Sequence, residues 1–371
     1  MTGWVAVAYG ALDLRDWPEN RSGADLMLLA TEPADPIGLV GSPAALWLRL
    51  VNGPVLETEL TPDELSMVRE FEEFGIASND QSHSARIKTV RPPRLSSPLH
   101  ELVYAMVGSV ARDGGIPLVF IKGPILHAQG LREREHSGDV DVWIDPERAE
   151  DLSCSLEPWG WSPVPDVWNG VPIDHSVTLQ PESWGCELDV HHHFPGVSLS
   201  EEDAFAEVRN HSTHMEFASV DVMVPTVPAH TVIEALNLTR PEIGVPPNQE
   251  RREHAAKILG IGGHEGLSFA LRLKADASLE GLLRSAFPDD FHGSDGKPPL
   301  NWRWREEKNR ARAYLLALRS VPRRSKAKVL FRLIWPKSDV AFASNSRVGA
   351  QTNKLLTARL QRLTRAFKSN R

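Results

Sequence analysis

The chain has 371 residues, 41% of them hydrophobic and 24% charged, with a formal net charge of −8. That length accommodates two or three domains with separate cores, and no apolar run approaches the roughly 20 residues that span a bilayer. Only two cysteines occur, Cys154 and Cys186, which excludes a disulfide framework and a cysteine-rich zinc site and fits a reducing compartment.

The N-terminal residues Met1-Thr2-Gly3-Trp4 lack a basic stretch leading into an apolar one, so no signal peptide, no membrane partner and a cytoplasmic location are expected. Short strands are expected at 4–9, 26–31 and 38–40, separated by polar turns. Ser42-Pro43 opens a helix that Asn52-Gly53-Pro54 ends. Thr61-Pro62-Asp63-Glu64 has the form of a capping box, and Leu65, Val68, Phe71 and Phe74 continue that helix to Gly75. Residues 81–97 are polar and proline-rich and read as a linker.

A helix follows with Leu99, Leu102, Val103, Met106 and Val110 on one face. The pattern then gives a strand at 117–122, a helix at 124–132 and a strand at 139–144. The turn between the first two is Lys122-Gly123-Pro124, and the second strand reads Asp139-Val140-Asp141-Val142-Trp143. Side chains alternate along a strand, so Asp139 and Asp141 share one face, Trp143 with them, while Val140 and Val142 enter the core. Two carboxylates on one face repel unless a cation lies between them, and hard oxygen ligands of this kind suit Mg²⁺ or Mn²⁺ together with substrate phosphates. Gly123 would let backbone approach phosphates at the start of helix 124–132, and Lys122 would add a point charge there.

Further strands are expected at 175–180 and 186–193. The second places Leu188 and Val190 in the core and Asp189 and His191 on the opposite face. The triplet His191-His192-His193 invites a zinc reading, but alternation would send neighbouring histidines to opposite faces. Asp174 and His175 could line an acceptor pocket. After a β-like run at 213–224 the pattern is helical to the end, and residues 301–371 carry 19 Lys/Arg against 3 Asp/Glu. Such a basic end clamps an acidic body, attracts a polyanion or a nucleoside triphosphate, or presents solvated helix faces.

These motifs carry two resemblances. Lys122-Gly123, Gly138-Asp139-Val140-Asp141 and Asp189-Val190-His191 resemble the DNA polymerase β-like nucleotidyltransferase superfamily, in particular its uncharacterised bacterial branch with a Lys-Gly turn, a Gly-Asp-x-Asp strand and a later Asp-x-His strand. The resemblance implies an α+β fold, with a mixed sheet and flanking helices at 98–228 and a helical region at 229–371. It implies transfer of NMP from an NTP to an unknown acceptor, with Asp139, Asp141 and Asp189 as the catalytic, metal-binding carboxylates. Lys122, Gly123, Arg134, Ser137, Gly138 and His191 would contact the nucleotide. The superfamily's Gly-Ser turn is replaced here by Gly123-Pro124, and Glu135 and His136 stand where an arginine usually lies close to the aspartates. Residues 1–80, with Gly38-Leu39-Val40-Gly41-Ser42-Pro43 and Thr61-Pro62-Asp63-Glu64-Leu65, resemble a PqqD-like winged-helix module, which implies a leader or precursor peptide as partner. The alternative is a peptide-binding accessory protein on an inactive transferase scaffold. Nucleic-acid binding by the basic end is a third, less favoured reading.

Overall fold

The computed structural model describes residues 3–135, 138–166, 168, 174–243, 245–338, 340 and 354–367. The chain divides into two compact units. The first comprises Met1–Ser162, Leu179–Asp189 and Ser212–Val224; the second comprises Pro163–Thr178, Val190–His211 and Pro225–Arg371.

In the first unit the expected N-terminal strand is broken into β1 (Gly3–Ala6) and β2 (Gly10–Asp13), followed by β3 (Leu26–Leu29) and β4 (Ile37–Leu39). Helix α1 (Ser42–Val51), β5 (Val55–Leu56), α2 (Pro62–Glu73) and β6 (Ala77–Ser78) complete this part. The strands form two small sheets, ordered β5-β1-β6 and β2-β3-β4. Their shared core centres on Trp47, Leu26, Leu28, Leu50 and Val68, all buried, and the Trp47 indole donates to the carbonyl of Ile76 at 2.7 Å. The capping box at α2 forms: Thr61 Oγ1 accepts from the Glu64 amide, and the Glu64 carboxylate accepts from the Thr61 amide at 2.8 Å.

Helix α3 (Pro98–Asp113) is almost wholly buried, since it packs on more than one side. Glu101 is 2% exposed, and its carboxylate accepts from the backbone amides of Arg94, Leu95 and Ala218 at 2.7, 2.9 and 2.8 Å. It is an acidic anchor for segments far apart in sequence, and burial pushes its carboxyl up despite those three donors.

Beyond α3, a five-stranded sheet runs β7-β8-β11-β10-β9. Its strands are β7 (Leu118–Ile121), β8 (Asp139–Ile144), β9 (Trp161–Pro163), β10 (Ser176–Pro181) and β11 (Glu187–His191). Strands β7 and β8 are antiparallel, with Leu118 opposite Ile144 and Ile121 opposite Asp141. Between them lies α4 (Gly123–Ala128), and α5 (Ala149–Leu156) follows β8. The expected run at 213–224 is a hairpin of β12 (Ser212–Phe217) and β13 (Val220–Pro225), turned by Ala218 and Ser219 at φ 44° and 66°.

The second unit is helical. It contains α6 (Glu201–Asn210), α7 (Val227–Thr239), α8 (Gln249–Arg272), α9 (Asp276–Ala286), α10 (Leu300–Glu306), α11 (Arg310–Ala317), α12 (Arg323–Ile334) and α13 (Leu355–Phe367). Helix α8 runs across a kink at Gly263, whose φ of 56° suits glycine. Among the described residues no helix is long and apolar enough to cross a membrane.

Candidate active site

The site is built by two adjacent strands and one turn. Strand β8 covers the expected residues 139–144, and alternation sends Val140 and Val142 into the core, each fully buried. Asp139 is partly buried and Asp141 only 5% exposed. Neighbouring β11 brings Asp189 alongside, so that the ligand oxygens of Asp141 and Asp189 lie within 4.8 Å of each other. Charges of one sign at that spacing carry a cost that shows in Asp139. Burial first, then the charges of Asp141 and Asp189, raise its carboxyl to about 6.

The turn after β7 brings a cation into this cluster. Because Ile121 pairs with Asp141, Lys122 leaves the strand beside that carboxylate, and its Nζ donates to Asp141 Oδ1 at 2.6 Å. Both side chains are largely buried, 12% and 6% exposed. Lys122 has φ 60° and Gly123 φ 52°, and a positive φ at lysine is a strained backbone conformation of the kind that gathers at functional sites. Clustered carboxylate oxygens of this kind suit a divalent cation bound through oxygen.

The remaining expected residues divide. Gly138 is exposed, with nothing among the described residues within 4 Å of where a Cβ would stand. Arg134 is exposed. Ser137, with His136, lies outside the described residues. Helix α4 has six residues in place of the expected nine, so its dipole offers a phosphate less than the sequence promised. Trp143 is fully buried and is a core residue, not a cover over the aspartates.

His191 closes β11 two residues beyond Asp189 and is 1% exposed, its ring 5.7 Å from those of His175 and Phe194. The strand stops there, two residues sooner than expected. His192 and His193 are therefore freed from alternation and both reach Glu201, each with Nδ1 3.3 Å from a carboxylate oxygen. Asn301 Oδ1 accepts from the Gly196 amide at 3.1 Å, so its Nδ2 donates to His193 Nε2 at 2.8 Å and leaves the ring proton on Nδ1, facing Glu201. His192, then His193, hold the Glu201 carboxyl down at about 2.

Asp174 and His175 do line a pocket, of about 250 Å³, together with Asp166, Trp168, Trp304 and Arg305. Burial raises the Asp174 carboxyl to about 6 and lowers the Arg305 guanidinium to about 10. Arg240 donates to His175 Nε2 at 2.8 Å, which with burial keeps that imidazole neutral. Arg240 and Arg305 carry no sequence signal, being separated from His175 by 65 and 130 positions.

No family model matches the chain, and no curated protein does. Among solved structures it is similar to the antibiotic-resistance factor ANT(2'')-Ia, at a TM-score of 0.33 and 16% identity over 51% of this chain and 94% of the other. It is similar as well to an antigenic nucleotidyltransferase-like protein from Paracoccidioides brasiliensis, at 0.33 and 14% over 53% and 99%. Likeness at that level assigns no chemistry, and the functional reading rests on the side chains of this chain.

Proposed function

We propose that the chain is a metal-dependent nucleotidyltransferase that moves a nucleoside monophosphate from an NTP to an acceptor, with Asp139, Asp141 and Asp189 holding Mg²⁺ or Mn²⁺. One observation carries this reading: three carboxylates from two adjacent strands crowd together, one of them raised to about 6, with Lys122 as their partial counterweight. A purely structural strand edge gains nothing from concentrating like charge, whereas a cation site requires it.

In the reaction an acceptor hydroxyl or amine attacks the α-phosphorus, the bond to the bridging oxygen breaks and pyrophosphate leaves. A carboxylate of the cluster, or water, takes the acceptor's proton. A bound divalent ion would neutralise charge developing on the phosphoryl oxygens. Lys122, which donates to Asp141, would exchange that partner for a phosphate oxygen when nucleotide binds.

The test is adduct formation from NTP labelled at the α-phosphate, supplied with Mg²⁺ and candidate acceptors of small-molecule and peptide type. Transfer should be abolished by Asp139→Asn and by Asp141→Asn while cooperative unfolding persists. Transfer undiminished in both variants would remove these aspartates from the chemistry.

A further inference from the structure

The basic end of the chain has a feature that the transfer reaction does not use. Helix α12 is apolar on two sides. Val329 packs into the core of the second unit with Trp304, Ala313, Ala317 and Val321, and Leu333 lies against it. On the other side Leu330, Phe331 and Ile334 are 44%, 64% and 48% exposed, and Trp335 beyond the helix end is 40% exposed. Helical spacing places Arg323, Ala327, Leu330 and Ile334 along one line, and Arg324 and Phe331 along the next. Arg323 and Arg324 are exposed at the start of this stripe and Lys337 at its end. Nearby segments repeat the combination: Leu315 on α11 is 63% exposed with Arg312 and Arg319 exposed on the same segment, and Leu356 on α13 is 62% exposed. From residue 310 to 371 the only acidic residue is Asp339.

We propose that this face is a peripheral docking surface for an anionic lipid membrane, with α12 lying in the plane of the headgroups. The stripe is about 18 Å long at 1.5 Å per residue, with cations at both ends. Large apolar side chains flanked by Arg and Lys on a helix of this length are the composition of an interfacial helix, in which the apolar face enters the acyl boundary and the cations pair with phosphates. A second copy is disfavoured as occupant, because it would bring two strongly basic segments face to face. A nucleic acid would satisfy the cations and leave Leu330, Phe331 and Ile334 without a partner. The proposal departs from the expectation of no membrane partner, which rests on the lack of a spanning run and does not address in-plane contact.

The experiment is co-sedimentation of the full-length chain with vesicles of phosphatidylcholine containing roughly one third phosphatidylserine, and with phosphatidylcholine alone. Binding is expected to the mixed vesicles only, and to weaken steeply as ionic strength rises toward ~0.5 M. The double change Phe331→Ser with Ile334→Ser should reduce it by about tenfold or more. Arg323→Gln with Arg324→Gln should reduce it by about fivefold per charge. All four positions are exposed, and an unchanged circular dichroism spectrum and unfolding midpoint confirm that the variants fold. Absence of binding to the mixed vesicles, or binding indifferent to Phe331→Ser with Ile334→Ser, would overturn the proposal. So would tight association with duplex DNA in place of vesicles, since it would make this face a polyanion site.

Discussion

Replacing Lys122 by Met separates the two tasks of that side chain. Its ammonium is 2.6 Å from Asp141 Oδ1, in a pair whose members are 12% and 6% exposed. Removing one partner of a buried ion pair leaves an uncompensated charge, at a cost of about 3–5 kcal/mol. An independent figure agrees: two unit charges ~4 Å apart at an effective dielectric near 20 attract by about 4 kcal/mol. Asp139 and Asp189 add repulsion in the same sense. Urea unfolding in the presence of a chelator should therefore show Lys122→Met destabilised by about 3 kcal/mol. Saturating Mg²⁺ should recover most of that loss, because the divalent ion takes over the role of the missing ammonium. Without nucleotide, the variant should bind Mg²⁺ at least about tenfold more tightly than the parent, since a competing cation has gone. The reasoning is refuted if the loss is the same with chelator and with Mg²⁺, or if Mg²⁺ affinity falls.

Three other outcomes follow from the geometry. Glu101→Ala strands three backbone amides, two of them in buried bonds, so urea unfolding should show a loss of at least about 2 kcal/mol; a loss below about 1 kcal/mol would mean that the anchor is dispensable. Asp174 has a folded pKa near 6, above the unfolded value of 3.8, so its ionisation opposes folding above pH 6 and ceases to do so as pH falls toward 4. Asp174→Asn should thus raise stability by up to about 2–3 kcal/mol at pH 8 and have little effect at pH 4; a pH-independent difference would contradict this. Glu201 is held down at about 2 by His192 and His193, so its contribution is present above the unfolded carboxyl pKa and is lost as pH falls through 2. Glu201→Gln should narrow the gap in thermal midpoint to the parent between pH 5 and pH 2, and a gap that widens on acidification would refute the assignment.

The carboxylate strand was legible in the sequence because β8 alternates strictly, with Val140 and Val142 inward, and its expected limits coincide with those observed. The capping box at Thr61 and the presence of α3 were equally legible from local chemistry, whereas the one apolar face read for α3 understates a burial that tertiary packing on several sides imposes. Alternation does not report where a ladder ends, so the spacing carries β11 through His193 and hides the meeting of His192 and His193 at Glu201. The hairpin at 212–225 turns on Ala218 and Ser219, which adopt positive φ without the glycine or asparagine that marks such turns. The pairing of Lys122 with Asp141 is not legible in the sequence, because it depends on the register of β7 against β8, and register is a tertiary property. Of the neighbours of His175 in its pocket, Trp304 and Arg305 lie too far along the chain for spacing to reveal them.

Metal-dependent nucleotide binding by the 371-residue chain is the decisive measurement, made by calorimetry for ATP, GTP, CTP and UTP with Mg²⁺ and with chelator. At least one nucleotide should bind with Mg²⁺, and that binding should disappear with chelator and in a folded Asp141→Asn variant. Binding of none of the four, or binding that survives both chelation and Asp141→Asn, would contradict it.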